Sequence, residues 1–115
     1  MIIKRGDIVL TIFPDSNQRT AKPRPALVVQ ADNLNTGLAQ TTIALITGNL
    51  SRAGHPSRVT VSLATPEGRM TGLRTDSVIM TDNLATVENV LLDRVIGVWT
   101  DMAAVDEALR HSLGH

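Results

Sequence analysis

Cysteine and tyrosine are absent from this chain, and Phe13 and Trp99 are its only phenyl and indole side chains. Without cysteine there is no disulfide framework, no thiolate metal site and no thiolate nucleophile. The scarcity of aromatics argues against an ordinary SH3 peptide-binding module, because Pro-rich ligands dock in aromatic-lined grooves. Long apolar runs are also missing: Lys4, Arg5 and Asp7 interrupt the one apolar start. Neither a signal peptide nor a membrane-spanning segment is therefore expected, which points to the cytoplasm. The histidines His55, His111 and His115 show no ligand spacing, so no metal and no cofactor is expected.

What remains is enough to fold. Hydrophobic residues make up 43% of 115 residues against 19% charged, which suits one globular domain over 1–115, small enough to gain from a partner subunit. A net charge of zero hides an asymmetry. Between Arg19 and Arg74 the chain carries Arg19, Lys22, Arg24, Arg52, Arg58, Arg69 and Arg74 against Asp32 and Glu67. From Asp76 onward, seven carboxylates face Arg94 and Arg110. A neutral protein still binds phosphate if its basic residues converge on one face.

The pattern is one of short strands followed by a helix. Asp7–Phe13 reads as a strand ended by Pro14, and Asp15–Pro23 as a polar loop. Ala26–Gln30 is a near-continuous apolar strand of the kind buried on both faces. Thr41–Thr47 forms another strand before a loop over Gly48–Pro56. Arg58–Leu63 alternates Val59, Val61 and Leu63 with polar residues. A turn at Thr65-Pro66-Glu67-Gly68 precedes strands at Ser77–Met80, Leu84–Val87 and Val95–Trp99, with a helical turn at Val90–Leu92. Met102, Val105, Leu109 and Leu113 then recur at helical spacing, with Thr100 or Asp101 to cap the start and Gly114 to end it. The fold class is mainly β with a C-terminal helix, in a small, strongly curved antiparallel barrel.

Four stretches carry polar or charged residues at the ends of apolar segments, where a rigid scaffold presents reactive groups. They are Arg5-Gly6-Asp7-Ile8-Val9-Leu10, Lys22-Pro23-Arg24-Pro25-Ala26-Leu27-Val28-Val29-Gln30, Ala44-Leu45-Ile46-Thr47 and Gly72-Leu73-Arg74-Thr75-Asp76-Ser77-Val78-Ile79. In kind, order and spacing, from Ile3 to Gly114, they resemble the MazF/PemK family of ribonuclease toxins from type II toxin–antitoxin pairs. Arg24 is held extended between two prolines, and its planar fork of donors suits phosphate oxygens. Thr47 offers a hydroxyl. Arg74 and Asp76, two apart, would share one side of an extended segment.

The resemblance implies an SH3-like (PemK/CcdB-type) barrel, a two-fold homodimer and metal-independent, sequence-specific cleavage of single-stranded RNA such as mRNA. The products would be 2′,3′-cyclic phosphate and 5′-hydroxyl ends. Arg24 matches the family's catalytic Arg-Pro position, Thr47 its second position, and Arg74 and Asp76 those of the PemK branch. Arg24 and Arg74 would hold the nonbridging oxygens, while Asp76 would orient Arg74 and accept the 2′ proton. Arg19, Lys22, Arg52, His55, Arg58 and Arg69 are the RNA-binding candidates, His55 having the chemistry of a general acid or base as well. Some members use a histidine in the first loop, and Asp15–Ala21 has none. A cognate antitoxin would neutralise the protein and provide any contact with DNA. Two rivals share the fold: a gyrase-directed toxin of the CcdB type and a nucleic-acid binder without catalysis. The CcdB family ends in Trp-Gly-Ile, whereas this chain ends Ser112-Leu113-Gly114-His115.

Overall fold

The computed structural model describes residues 2–12 and 22–115, so Phe13, Arg19 and most of the expected first loop lie outside the described residues. The strands are β1 (Asp7–Thr11), β2 (Arg24–Val28), β3 (Gln40–Thr47), β4 (Arg58–Val61), β5 (Ser77–Glu88) and β6 (Leu92–Val98). The helices are α1 (Pro66–Arg69) and α2 (Met102–Leu113). Among the described residues the six strands form one sheet in the order β4-β5-β3-β2-β1-β6, each pair antiparallel. Among the described residues no helix is long and apolar enough to cross a membrane.

The continuous run Ala26-Leu27-Val28 is buried because β2 lies mid-sheet with apolar packing on each side. Leu27 packs with Ile8, Ile46, Ile79 and Trp99, and α2 covers this side through Val105, Met102 and Leu109. Ala26 and Val28 pack instead with Val9, Ile43, Val87 and Leu92. Of the helical stripe expected on α2, Leu113 falls beyond the core and is 56% exposed, and Ala108 is buried in addition to Val105. Asp101 Oδ1 accepts from the Ala104 N–H at 3.2 Å, and Gly114 ends the helix at φ 75°. Arg5 ties the helix to the sheet: its Nη2 donates to Asp106 Oδ1 at 2.6 Å and its Nε to the Val29 carbonyl at 3.1 Å.

Sequence and structure differ most at β5. In place of two strands broken near Asp82-Asn83, Ser77–Glu88 is one strand of 12 residues. Its pairing steps from Met80 opposite Leu45 to Leu84 opposite Ala44, so Thr81, Asp82 and Asn83 bulge out of register. Turn-prone residues mark a bend there and not a chain reversal. The bend is pinned by Thr81, whose N–H and Oγ1 both donate to the Ser57 carbonyl at 3.1 and 2.6 Å. Arg58 Nη2 reaches Asp82 Oδ2 at 2.9 Å beside it. Elsewhere, β2 begins at Arg24 and β6 at Leu92, each earlier than its apolar run suggests. The turn at Thr65–Gly68 is the short helix α1, capped by Thr65 Oγ1 accepting from the Gly68 N–H at 3.0 Å. The helical turn expected at 90–92 is a 3-10 turn over Asn89–Leu91.

The expected barrel forms without complete closure, because β4 and β6 remain edges of the sheet. The segment after α1 bridges them by crossing β6. Met70 accepts from the Val98 N–H at 3.0 Å. A Cβ on Gly72 would sit 2.1 Å from the Ile96 carbonyl oxygen, and one on Gly97 would sit 2.3 Å from the Thr71 carbonyl carbon. Gly72 also has φ +73°, so it needs glycine for both space and conformation.

Gly72→Ala is therefore expected to lose roughly 2–4 kcal/mol, a left-handed penalty plus overpacking against backbone. Gly37→Ala, at φ +78° with nothing within 4 Å, isolates the conformational part and should lose only about 1–2 kcal/mol. Denaturant midpoints decide this; equal losses would mean that the crossing is not tight. A second expectation concerns the bend. The hydrogen bond from Arg58 is the main cause holding the Asp82 carboxyl below the usual carboxylate range. The unfolded chain then binds this proton more readily, so the stabilisation is present above the unfolded value near about 3.9 and fades as pH falls below it. Asp82→Asn should be less stable than the parent at pH 7, and the two should converge toward pH 3. A gap undiminished at low pH would remove the ion pair as its source.

Candidate functional site

A cleft of about 590 Å3 opens where two central strands part. β2 and β3 pair only as far as Ala26 opposite Leu45. Beyond that point β2 continues with β1, Pro25 opposite Leu10 and Arg24 opposite Thr11, while β3 continues with β5 through Thr47 opposite Val78. Extending the β2–β3 register by two residues would put Arg24 opposite Thr47, so both stand at the mouth of a fork in the sheet. Pro25 has no N–H to give a neighbour on the open side, and one-sided pairing is where a strand tolerates proline.

Arg24 is exposed and Thr47 half-buried at this mouth. Thr47 Oγ1 accepts from the Asn49 N–H at 3.1 Å, which leaves the hydroxyl proton available to a ligand. The loop leaving the crossing supplies Leu73, Arg74 and Thr75, and Thr75 Oγ1 would lie 3.4 Å from a Cβ on Gly48. β6 supplies Asp93, Arg94 and Ile96 on the opposite wall, with Leu10 of β1 between β2 and β6. Ser77, nearly buried, completes the lining, and its Oγ donates to the Thr75 carbonyl at 2.9 Å.

Arg24, Thr47 and Arg74 thus meet in one cleft. Asp76 does not line it. The chain bends at Arg74 and Thr75 and β5 begins only at Ser77, so the two-residue alternation that would pair Arg74 with Asp76 does not apply. Asp76 Oδ1 instead accepts from the Leu63 N–H at 2.8 Å, fixing the loop that carries Arg74 to the end of β4.

Arg52, His55, Arg58 and Arg69 are not among the lining residues. Arg58 is held by Asp82 and by the Arg52 carbonyl at 3.1 Å, and Arg69 Nη1 donates to the Ala64 carbonyl at 3.2 Å. His55 Nδ1 lies 2.7 Å from Ser57 Oγ, and its ring meets His111 of α2 edge-on with centroids 5.6 Å apart. It belongs to the contact between that loop and the helix. Lys22 is exposed next to Pro23 at the cleft rim, and Arg19 lies outside the described residues. Ser77, Asp93 and Arg94 escaped the reading of the sequence. Starting the last strand at Val95 left Asp93 and Arg94 outside it; β6 begins at Leu92, and its pairing with β1 shifts register twice, so no simple two-residue period in the sequence marks them.

With this geometry in place, the comparisons agree across the chain. Residues 4–113 match the family described as PemK-like, MazF-like toxin of type II toxin–antitoxin system. Endoribonuclease EndoA of Bacillus subtilis (strain 168) is 31% identical over 116 residues, covering 98% of this chain and 96% of that protein. An endoribonuclease in complex with its cognate antitoxin, from a mycobacterial species, has the same fold at TM-score 0.75 and 22% identity, covering 97% of this chain and 95% of that one. Mycobacterium tuberculosis toxin MazF-mt6 gives TM-score 0.71 at 24% identity, with 94% and 96% covered. A family match over nearly the whole length and a relative above 30% identity settle the point: this chain belongs to the PemK/MazF family of type II toxin–antitoxin toxins.

Proposed function

We propose that this chain, a single toxin domain over residues 1–115, is a sequence-specific endoribonuclease toxin. It cleaves single-stranded RNA such as mRNA in the cytoplasm, without a metal ion, and a cognate antitoxin neutralises it. The observation that carries this reading is the meeting of Arg24, Thr47 and Arg74 at the fork between β2 and β3. The EndoA relative is named an endoribonuclease, which supports the same substrate class.

RNA brings its own nucleophile. The ribose 2′-oxygen bonds to the adjacent phosphorus as the bond to the 5′-oxygen breaks, leaving a 2′,3′-cyclic phosphate and a 5′-hydroxyl. The protein has to align these groups, move protons and stabilise the extra charge of the pentacoordinate state. Arg24 and Arg74 bracket the nonbridging oxygens and Thr47 donates its free hydroxyl proton to one of them. The carboxylate that the cleft offers for the 2′ proton is Asp93, and overall that one proton ends on the departing 5′-oxygen, so the step needs no other proton source. Asp76 acts as a positioning residue, holding the Arg74 loop through Leu63. Because the 2′-hydroxyl is the nucleophile, DNA is inert.

Purified protein should cut long single-stranded RNA in EDTA and leave 5′-hydroxyl and cyclic phosphate ends. Arg24→Ala should lower kcat by about 10²–10³, the scale of removing one donor to a developing oxyanion. Its stability should change by only about 0.5 kcal/mol, since the side chain is exposed. Intact RNA after incubation with folded parent protein would leave a binder without catalysis; an Arg24→Ala variant cutting at the parent rate would put the site elsewhere.

The protein is further proposed to act as a homodimer that takes up an extended, acidic antitoxin segment, any contact with DNA being made through that antitoxin. An apolar hollow lined by Ile12, Val90 and Leu91 adjoins the cleft and shares Pro23 and Asp93 with it. Val90 is 82% exposed. Acidic residues over the arginines and an apolar anchor in the hollow would block RNA by occupancy alone. Light scattering of the protein alone, then titration with the adjacent gene's product in rising salt, tests this. The expected result is a dimer whose cleavage is inhibited, with weaker binding at higher salt. A monomer indifferent to that product would remove the toxin–antitoxin pairing while leaving the ribonuclease.

A further inference from the structure

Among the described residues, the arginines other than Arg52, which stays outside the cleft, fall into two groups. Arg5, Arg58, Arg69 and Arg110 each donate from the side chain to a carboxylate or carbonyl within the fold. Among the described residues, Arg24, Arg74 and Arg94 make no such bond, and all three line the same cleft. They come from the first residue of β2, the loop after the β6 crossing and the body of β6, so no local sequence effect brings them together. All three are exposed, and open cations gathered in one concavity focus an attraction for anions.

The third cation exceeds what one phosphodiester needs. Three positive charges against Asp93 leave a surplus of two among the described lining residues, while a single phosphodiester carries one negative charge. Arg94 also stands on the far wall: β6 and β2 flank β1, so their backbones are roughly 10 Å apart, two inter-strand spacings. We propose that Arg94 binds a second phosphate, neighbouring the scissile one, so that the cleft reads a segment of RNA backbone at least two phosphates long. This rests on the ribonuclease reading of the cleft and adds to it a residue that fixes the register of the strand, a role for phosphate contacts generally.

The experiment pairs Arg94→Ala and Arg94→Lys with RNA oligonucleotides in which one phosphate on either side of the scissile linkage is a neutral methylphosphonate. Binding is measured with 2′-O-methyl RNA, which the protein cannot cleave, and cleavage with ordinary RNA. Arg94→Ala should weaken binding of the uncleavable strand about tenfold, the scale of one charge-assisted contact. It should also reduce the slope of log affinity against log salt by about 0.7, one phosphate contact on a single strand. One of the two methylphosphonates should weaken binding to the parent by a similar factor and have no further effect on Arg94→Ala. Arg94→Lys should restore part of the salt slope. Parent-like affinity and slope in Arg94→Ala, or full additivity with both methylphosphonates, would overturn the proposal. The binding arm decides it whether or not RNA is cut. Intact RNA with the parent protein would count against catalysis alone, and an inactive Arg24→Ala beside an unaffected Arg94→Ala would count against the second phosphate alone.

Discussion

The crossing of the Met70–Gly72 segment over β6 is the contact on which the site depends. The sheet has two edges, β4 and β6, and the chain passes from one toward the other through α1. At the crossing, backbone meets backbone with no space for a Cβ at either Gly72 or Gly97. Strand edges left open invite pairing with other chains, and a covering segment is one way to blunt them. Here the cover also has a chemical consequence. Two residues after Gly72 the chain presents Arg74, and the strand it has just crossed presents Arg94.

Fixing a loop this way requires both ends to be held. Upstream, Thr65 caps α1 and its Oγ1 donates to the Ser62 carbonyl at 2.7 Å, while Gly68 fits against the same carbonyl without a side chain. Downstream, Asp76 binds the Leu63 N–H and Ser77 the Thr75 carbonyl. The carboxylate and hydroxyl beside the cleft therefore serve its shape. That division between groups that contact a ligand and groups that hold them is how a site keeps its geometry while leaving charged side chains unsatisfied by the protein.

Much of this was legible in the chain, for identifiable reasons. β4 and α2 could be placed closely because their periodicity is strong, β3 because its apolar run is bounded by polar residues, and Arg24 and Thr47 because each stands at the end of an apolar run. The β5 bend was misread as a break, since Asp82 and Asn83 have turn chemistry whether they serve a reversal or a bulge. Asp76 was placed beside Arg74 by a rule that holds only in extended chain, and the chain there is bent. The charge asymmetry misled in a different way. Basic residues concentrated in sequence, such as Arg58 and Arg69, are used within the fold, whereas Arg94, embedded among carboxylates, reaches the cleft. Sign and position along a chain say where charge is, and only topology says which charges meet.

The fork itself has a sequence cause. A paired β-strand directs its N–H and C=O groups alternately to both neighbours, and a proline cancels one of those groups. Pro25 does so one residue past the last β2–β3 pair, where β2 keeps only β1 as a neighbour. Pro23 restrains the chain on the other side of Arg24. The proline that stops the sheet from closing over the cleft thus also helps, with Pro23, to hold extended the arginine at its mouth. A residue with an N–H at position 25 could pair with β3 and draw Arg24 and Thr47 into register as ordinary strand partners. The cleft exists because the sheet is prevented from finishing there, and the interruption leaves Arg24 and Thr47 facing each other across it while the loop after the crossing and β6 supply the remaining polar groups.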